Sequence, residues 1–188
     1  GAWAGFASKA PTTSPIDINF LYENPDRHDS TLWFPWPMNA LHYKAAYWVG
    51  QGVFDRLSSF SDFESRVNDI FEEKDRGDVF EIFIEGYLAT QTITQHVKHW
   101  VVGGIPVDMR ERFNLPKDGT GIDGIYEERD GSQVAYQVKY RKNHNLTFAE
   151  VASFPGITEQ FTDRVIFTNA STLSDKAITR TRWYSGEV

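Results

Sequence analysis

The stretch 121–141 constrains the fold of this chain more than any other. Residues 121–128 and 133–141 are rich in β-branched and aromatic side chains and meet around Asp130-Gly131-Ser132, the pattern of an antiparallel hairpin. Side chains alternate across a strand, so Val134, Tyr136, Val138 and Tyr140 form one face, suited to packing on a helix. Gln137 and Lys139 share the other face. A two-residue Asp130-Gly131 turn pairs Arg129 with Ser132 and sets Asp123 opposite Val138, on the face away from Lys139. A three-residue loop with Gly131 or Ser132 in the left-handed region pairs Arg129 with Gln133. That sets Asp123 opposite Lys139 and Ile125 opposite Gln137. Asp130-Gly131 alone favours the tighter turn. If Asp123 and Lys139 act together, the odd register or a bulge is required. Further on, residues 164–168 form a short apolar run bounded by Asp163 and Asn169, which reads as an interior strand reached by a crossover. The expected fold is therefore α/β, a mixed sheet with helices on both faces.

The same hairpin carries the chemistry. Asp123 lies in Gly121-Ile122-Asp123-Gly124-Ile125, and Gln137 and Lys139 follow on the next strand. Phosphodiester hydrolysis needs carboxylates to hold a divalent ion and a cation to aid the attacking water or the developing charge. Asp123 can be the ligand and Lys139 the cation. The Gln137 amide oxygen or the Val138 carbonyl could complete the coordination of a hard ion such as Mg²⁺.

Asp123 followed by Gln137-Val138-Lys139 resembles the PD-(D/E)xK nuclease superfamily, and within it the Mrr-like restriction endonucleases of the helicase-associated type, where Gln commonly replaces the first acidic residue of E-x-K. Upstream, Gly77-Asp78-Val79-Phe80-Glu81-Ile82-Phe83 resembles the family's first helix. Downstream, Phe148-Ala149-Glu150-Val151-Ala152-Ser153-Phe154, then Arg164-Val165-Ile166-Phe167-Thr168-Asn169, then Ser174-Asp175-Lys176-Ala177 are similar to its later helix, strand and helix. The resemblance covers roughly residues 75–183. It implies a restriction-endonuclease-like mixed β-sheet core flanked by helices, with Glu81, Asp123, Gln137 and Lys139 as catalytic residues. Glu81, Asp123, Gln137 and Val138 would be the metal set, with Mg²⁺ as cofactor and Mn²⁺ able to substitute. Gln137 lacks the usual negative charge there, so ion binding would lean on Asp123 and Glu81. DNA is the implied substrate, a helicase or ATPase the implied partner, and a homodimer the usual route to cutting both strands. The alternative is a catalytically inactive nuclease-fold module that binds nucleic acid or docks a protein.

A chain of 188 residues can hold one substantial core, or one core with a small lobe. We expect an aromatic-rich N-terminal extension over residues 1–58 and a nuclease-like domain over residues 59–188. The absence of Cys excludes a thiolate zinc site and a Cys nucleophile and fits a reducing compartment, here a cytoplasmic one of bacterial or phage type. No stretch is long enough to span a bilayer. The net charge of −7 argues against a DNA-coating surface. Local cations remain: Arg141 and Lys142 beside the site, and Lys176, Arg180 and Arg182 near the end, could touch phosphates or simply be solvated. Asn169 could touch substrate at the strand end or form a turn. No Walker-type sequence occurs, so the chain reads as an excised piece of a larger protein whose motor lies elsewhere.

Elsewhere the sequence gives helices and aromatics. Residues 1–29 read as extended chain. Trp33, Phe34, Trp36, Tyr43, Tyr47 and Trp48 could stack on unpaired bases, though such density more often builds a small core. A helix is expected over residues 39–49 and another over residues 59–71, capped by Ser59 or Ser61. A break at Asp75-Arg76-Gly77 precedes a helix opened by Asp78, with Glu81 and Glu85 on one face. Residues 95–102 read as a strand whose His96 and His99 lack the partners of a zinc site. Residues 105–115 read as a short helix or link. Thr147 caps a helix ending at Pro155-Gly156, and Ser171 or Ser174 caps a last helix running to Trp183.

Overall fold

The computed structural model describes residues 7–8, 40–57, 59–94, 96–118, 121–173 and 182–185. Six strands form one mixed sheet. In chain order these are β1 (Ala7–Ser8), β2 (His96–Val101), β3 (Gly124–Glu128), β4 (Gln133–Lys139), β6 (Asp163–Thr168) and β8 (Arg182–Ser185). Their spatial order is β1-β8-β6-β4-β3-β2. β2, β3 and β4 are antiparallel neighbours, whereas β4, β6 and β8 run parallel. Two two-residue strands, β5 (Asn145–Leu146) and β7 (Thr172–Leu173), pair separately.

One face of the sheet carries α1 (Ala45–Gly50), α2 (Phe60–Asn68) and α3 (Glu73–Thr94). Ser59, extended at φ −166°, caps α2 by accepting from the Asp62 N–H at 3.0 Å. On α3, Val79, Phe80, Ile82, Phe83, Ile84, Tyr87 and Leu88 are all buried, so this helix is wrapped by protein almost all round. Phe63 stacks on Phe83 with centroids 4.4 Å apart, and Tyr140 of the sheet meets Phe80 edge-on at 5.6 Å. The opposite face carries α4 (Val107–Arg112), α5 (Phe148–Val151) and α6 (Phe154–Ile157) over Ile125, Ala135 and Ile166. Phe113 and Phe161 stack there at 3.9 Å. The expected α/β arrangement, with a crossover strand beside the hairpin and helices on both faces, is what the chain adopts.

Four local expectations change. The break falls at residues 70–72, not at Gly77: α3 begins at Glu73, and Arg76 holds the Ile70 and Phe71 carbonyls at 2.8 Å each. A helical Gly costs only about 1 kcal/mol, which the burial of the following turns outweighs. The helix near the N-terminal lobe is shorter than expected, residues 42–44 forming a turn before α1. The helix after Thr147 is split in two, with Pro155 and Gly156 inside α6, where Pro in a first turn sacrifices no hydrogen bond. The final stretch is not a helix at Trp183: Arg182–Ser185 is strand β8, paired with β6. Lys176 and Arg180, and Trp33, Phe34 and Trp36, lie outside the described residues.

The hairpin resolves the register question in a third way. Its loop is Arg129-Asp130-Gly131, with Gly131 at φ +83° and the Glu128 N–H donating to the Ser132 carbonyl at 2.9 Å. Asp130 Oδ1 accepts from the Ser132 N–H at 2.8 Å, which starts the loop one residue earlier than expected. Ile125 therefore pairs with Ala135, not Gln137, and Gly124 with Tyr136. The Asp123 N–H also donates to the Tyr136 carbonyl at 2.9 Å, so Asp123 and Gly124 both oppose one residue. That two-against-one count is a β-bulge. Ile122 and Ile125 both pack in the α4–α6 layer, although they are three residues apart, which an unbulged strand does not allow.

Gly124 makes the bulge possible. A Cβ there would collide with the Tyr136 ring and hydroxyl and lie 2.5 Å from the Trp100 carbonyl oxygen. Gly124→Ala should lower stability by about 1–3 kcal/mol in thermal or urea unfolding, as overpacked buried sites do. An unchanged melting curve would show that the strand does not need this close approach.

Candidate active site

The bulge turns Asp123 onto the α3 face of the sheet, into a cavity of about 420 Å³. Glu81 and Glu85 of α3, His42, Tyr136 and Val138 also line it. Asp123 is held from three sides. Its carbonyl accepts from the Val102 N–H of the β2 end at 2.9 Å, its N–H donates to β4, and its Oδ2 accepts from the Val138 N–H at 2.7 Å. Burial pushes its pKa up to about 7; the nearby Glu81 carboxylate adds to the rise, which the Val138 N–H and the more distant Lys139 and His42 oppose. Among the described residues no cation lies within ion-pair distance of Asp123.

On α3, Asp78, Glu81 and Glu85 fall at spacings of three and four, so they form one acidic stripe. A strap, residues 40–44, crosses it. The Leu41 and His42 N–H groups donate to Glu85 at 2.5 and 3.2 Å, and the Tyr43 hydroxyl donates to Asp78 at 3.3 Å. His42 Nδ1 accepts from the Lys44 N–H at 3.1 Å, which leaves the proton on Nε2 to be donated to Glu81 Oε2, also 3.1 Å away. Burial raises the Glu85 pKa, and the two strap amides pull it back. One ligand atom from each of His42, Asp78 and Glu81 lies within 4.8 Å of the others. The tautomer makes the histidine a donor in this cluster, not a ligand. Burial, together with Asp123, Glu85 and Glu81, keeps Tyr136 a neutral phenol, bonded to His99 Nε2 at 2.9 Å.

The structure brings Glu81, Asp123 and Val138 together and sets the other expected residues apart. Gln137 points to the opposite layer, level with Ile166, where its amide nitrogen donates to the Gly121 carbonyl at 3.2 Å. Its Oε1 is buried with no hydrogen-bond partner among the described residues. Lys139 does not line the cavity, but its charge reaches Asp123. Arg141 is occupied by Glu150 at 2.5 Å, and Lys142 by the Asn68 carbonyl at 3.1 Å. Asn169 is wholly buried, bonded to Glu64 and to both the N–H and carbonyl of Arg141, so it fastens strand ends and does not face substrate. Sequence reading missed His42 and gave Asp78 only a helix-starting role. The 78/81/85 spacing was a legible signal for the second; nothing local marked the first.

Residues 87–183, just over half of the chain, match the family model described as restriction endonuclease, of the Mrr catalytic type. The chain belongs to the Mrr-like restriction endonuclease family. No curated protein and no solved structure matches it. A restriction endonuclease domain is a nuclease domain, so its substrate is DNA. No helix of the described residues is long and apolar enough to cross a membrane.

An acid whose pKa is raised by folding binds its proton more tightly in the folded chain. The metal-free nuclease should therefore lose stability as pH rises from about 4 through about 7. Asp123→Asn removes that loss. In EDTA it should melt higher than wild type at pH 8, by about 1 kcal/mol of stability, and near wild type at pH 5. A lower melting temperature than wild type at pH 8 would contradict a buried carboxyl that has no ion pair among the described residues.

Proposed function

We propose that this domain is a metal-dependent DNA endonuclease in which Glu81 and Asp123 hold the ion. The observation that carries the reading is that Glu81, Glu85 and Asp123 face one cavity, and that Asp123 is buried with no cation among the described residues within ion-pair distance. An all-oxygen, anionic donor set of this kind suits a hard divalent ion, Mg²⁺ first and Mn²⁺ as substitute. When bound, such an ion supplies electrostatic stabilisation of the phosphate and a more acidic water.

The chain's own groups do the rest. The Val138 N–H fixes the Asp123 carboxylate, and His42 fixes that of Glu81. In an extended strand a residue's N–H and C=O point to the same neighbour, so the Val138 carbonyl is directed to the Asp123 side. Lys139 favours the ionised form of Asp123 and would counter charge that builds on the phosphate. Gln137 enters as a positioning residue, holding Gly121 at the entry to the bulge. Residues 59–188 would form the nuclease unit, with residues 1–58 as a lobe upon it. A helicase or ATPase would be its partner, and a homodimer would allow both strands to be cut.

The purified chain should nick supercoiled DNA in Mg²⁺ or Mn²⁺ and not in EDTA. Lys139→Ala and Asp123→Ala should each lose about 10²-fold or more in rate, the scale of removing one stabilising charge from a hydrolytic site. Nicking by Asp123→Ala at the wild-type rate would overturn the assignment.

A further inference from the structure

Helix α3 places Glu81 at the cavity but does not fix its carboxylate. The side chain is 31% exposed, and among the described residues the carboxylate accepts a hydrogen bond from His42 alone. The imidazole is set for that contact. Its side chain is only 9% exposed, and its ring stacks on Tyr43 with centroids 4.8 Å apart and planes inclined by 25°. The Lys44 N–H donates to Nδ1, so the ring proton sits on Nε2. Glu81 Oε2 is 3.1 Å from that nitrogen. Asp78 Oδ1, at 3.7 Å, is beyond hydrogen-bond reach, and Asp78 is met by the Tyr43 hydroxyl and Lys74 instead. The backbone around the ring is fixed as well. The N–H groups of Leu41 and His42 donate to Glu85, one turn along α3 from Glu81. The helix therefore holds both ends of the contact: Glu85 seats the strap, and Glu81 receives its imidazole.

Resting on the nuclease reading above, we propose that His42 is a positioning residue of the metal site, acting through Glu81, and that residues 40–44 are part of the active centre. A donor behind a ligand carboxylate holds it in one orientation, so the ion does not have to order it. With Nδ1 accepting, the ring is the neutral tautomer. It orients Glu81 without cancelling the negative charge that a cation needs, which a lysine or arginine in its place would do. The strap lies upstream of residues 87–183, the stretch that matches the restriction endonuclease model. The nuclease unit therefore does not begin at residue 59: its site takes a side chain and two backbone amides from residues 41 and 42.

Isothermal titration of the whole chain with Mn²⁺ tests this in wild type, His42→Leu, His42→Gln and Tyr43→Phe. His42→Leu, which keeps an apolar side chain and removes the donor, should bind Mn²⁺ about 10–100-fold more weakly, the usual effect of losing a partner behind a metal ligand. His42→Gln, whose amide extends toward the place of Nε2, should recover much of that loss. Tyr43→Phe gives up the strap's bond to Asp78 but keeps the stacked ring, so it should melt lower and bind Mn²⁺ like wild type. Wild-type affinity in folded His42→Leu would overturn the proposal. So would an equal loss in Tyr43→Phe, which would show that any loosening of the strap is enough. If His42→Leu does not melt cooperatively in EDTA, His42→Asn replaces it. Its amide is too short to reach Glu81, so Asn binding Mn²⁺ as tightly as Gln would also overturn the proposal. The two readings fail separately. Binding that needs Asp123 but not His42 removes the role of His42 and leaves the metal site standing. A wild-type chain that binds no Mn²⁺ removes both.

Discussion

Everything at the site depends on one extra residue in strand β3. Asp123 and Gly124 share Tyr136 as a partner, and that bulge turns a carboxylate from the layer of Ile122 and Ile125 to the layer of α3. Once turned, Asp123 is fixed by backbone amides and carbonyls of β2 and β4 and not by flexible side chains. Its position is therefore as rigid as the sheet. Gly124 is required because the Trp100 carbonyl and the Tyr136 ring already occupy the space of a side chain. The exposed hairpin loop sets the register that puts Tyr136 opposite the bulge.

The second constraint is charge. Helix α3 is buried nearly all round, yet it carries Asp78, Glu81 and Glu85 as one stripe, of which Glu81 and Glu85 line the cavity with Asp123. Burial raises the pKa of two of these acids, Glu85 and Asp123. The strap meets Asp78, Glu81 and Glu85 with two backbone amides, one imidazole and one phenol. Among the described residues, no cation lies within ion-pair distance of Asp123. Leu41, His42 and Tyr43 of the strap also line the cavity beside these acids.

Much of this was legible in the sequence, because the strongest signals are periodic. Alternation in 133–141 separated Val138 and Tyr140 from Gln137 and Lys139, and the short apolar run at 164–168 gave the crossover strand. The sequence pattern marks Glu81 and Asp123 as candidate partners, and the two line one cavity. The direction of Gln137 was not legible, since a bulge in β3 moves Asp123 across the sheet while leaving β4 alternation untouched. Asp123 therefore shares Tyr136 with Gly124 and faces α3, while Gln137, the next residue on β4, faces the opposite layer. The start of α3 was misplaced because Gly77 and Asp78 mimic a helix opening, whereas burial of Val79 and Phe80 carries the helix through them. Strand β8 was read as a helix end because its pairing with β6 is set by distant residues, which local propensity does not record. His42 could not be found at all from sequence: its role depends on a turn laid against a helix some forty residues away.

The central claim is that Glu81 and Asp123 make one cation site and that neither suffices alone. Isothermal titration of the metal-free chain with Mn²⁺ tests it most directly. The account predicts binding of the ion that is lost in Asp123→Asn and lost again in Glu81→Gln, with both variants still melting cooperatively. Undiminished Mn²⁺ binding in either folded variant would contradict it.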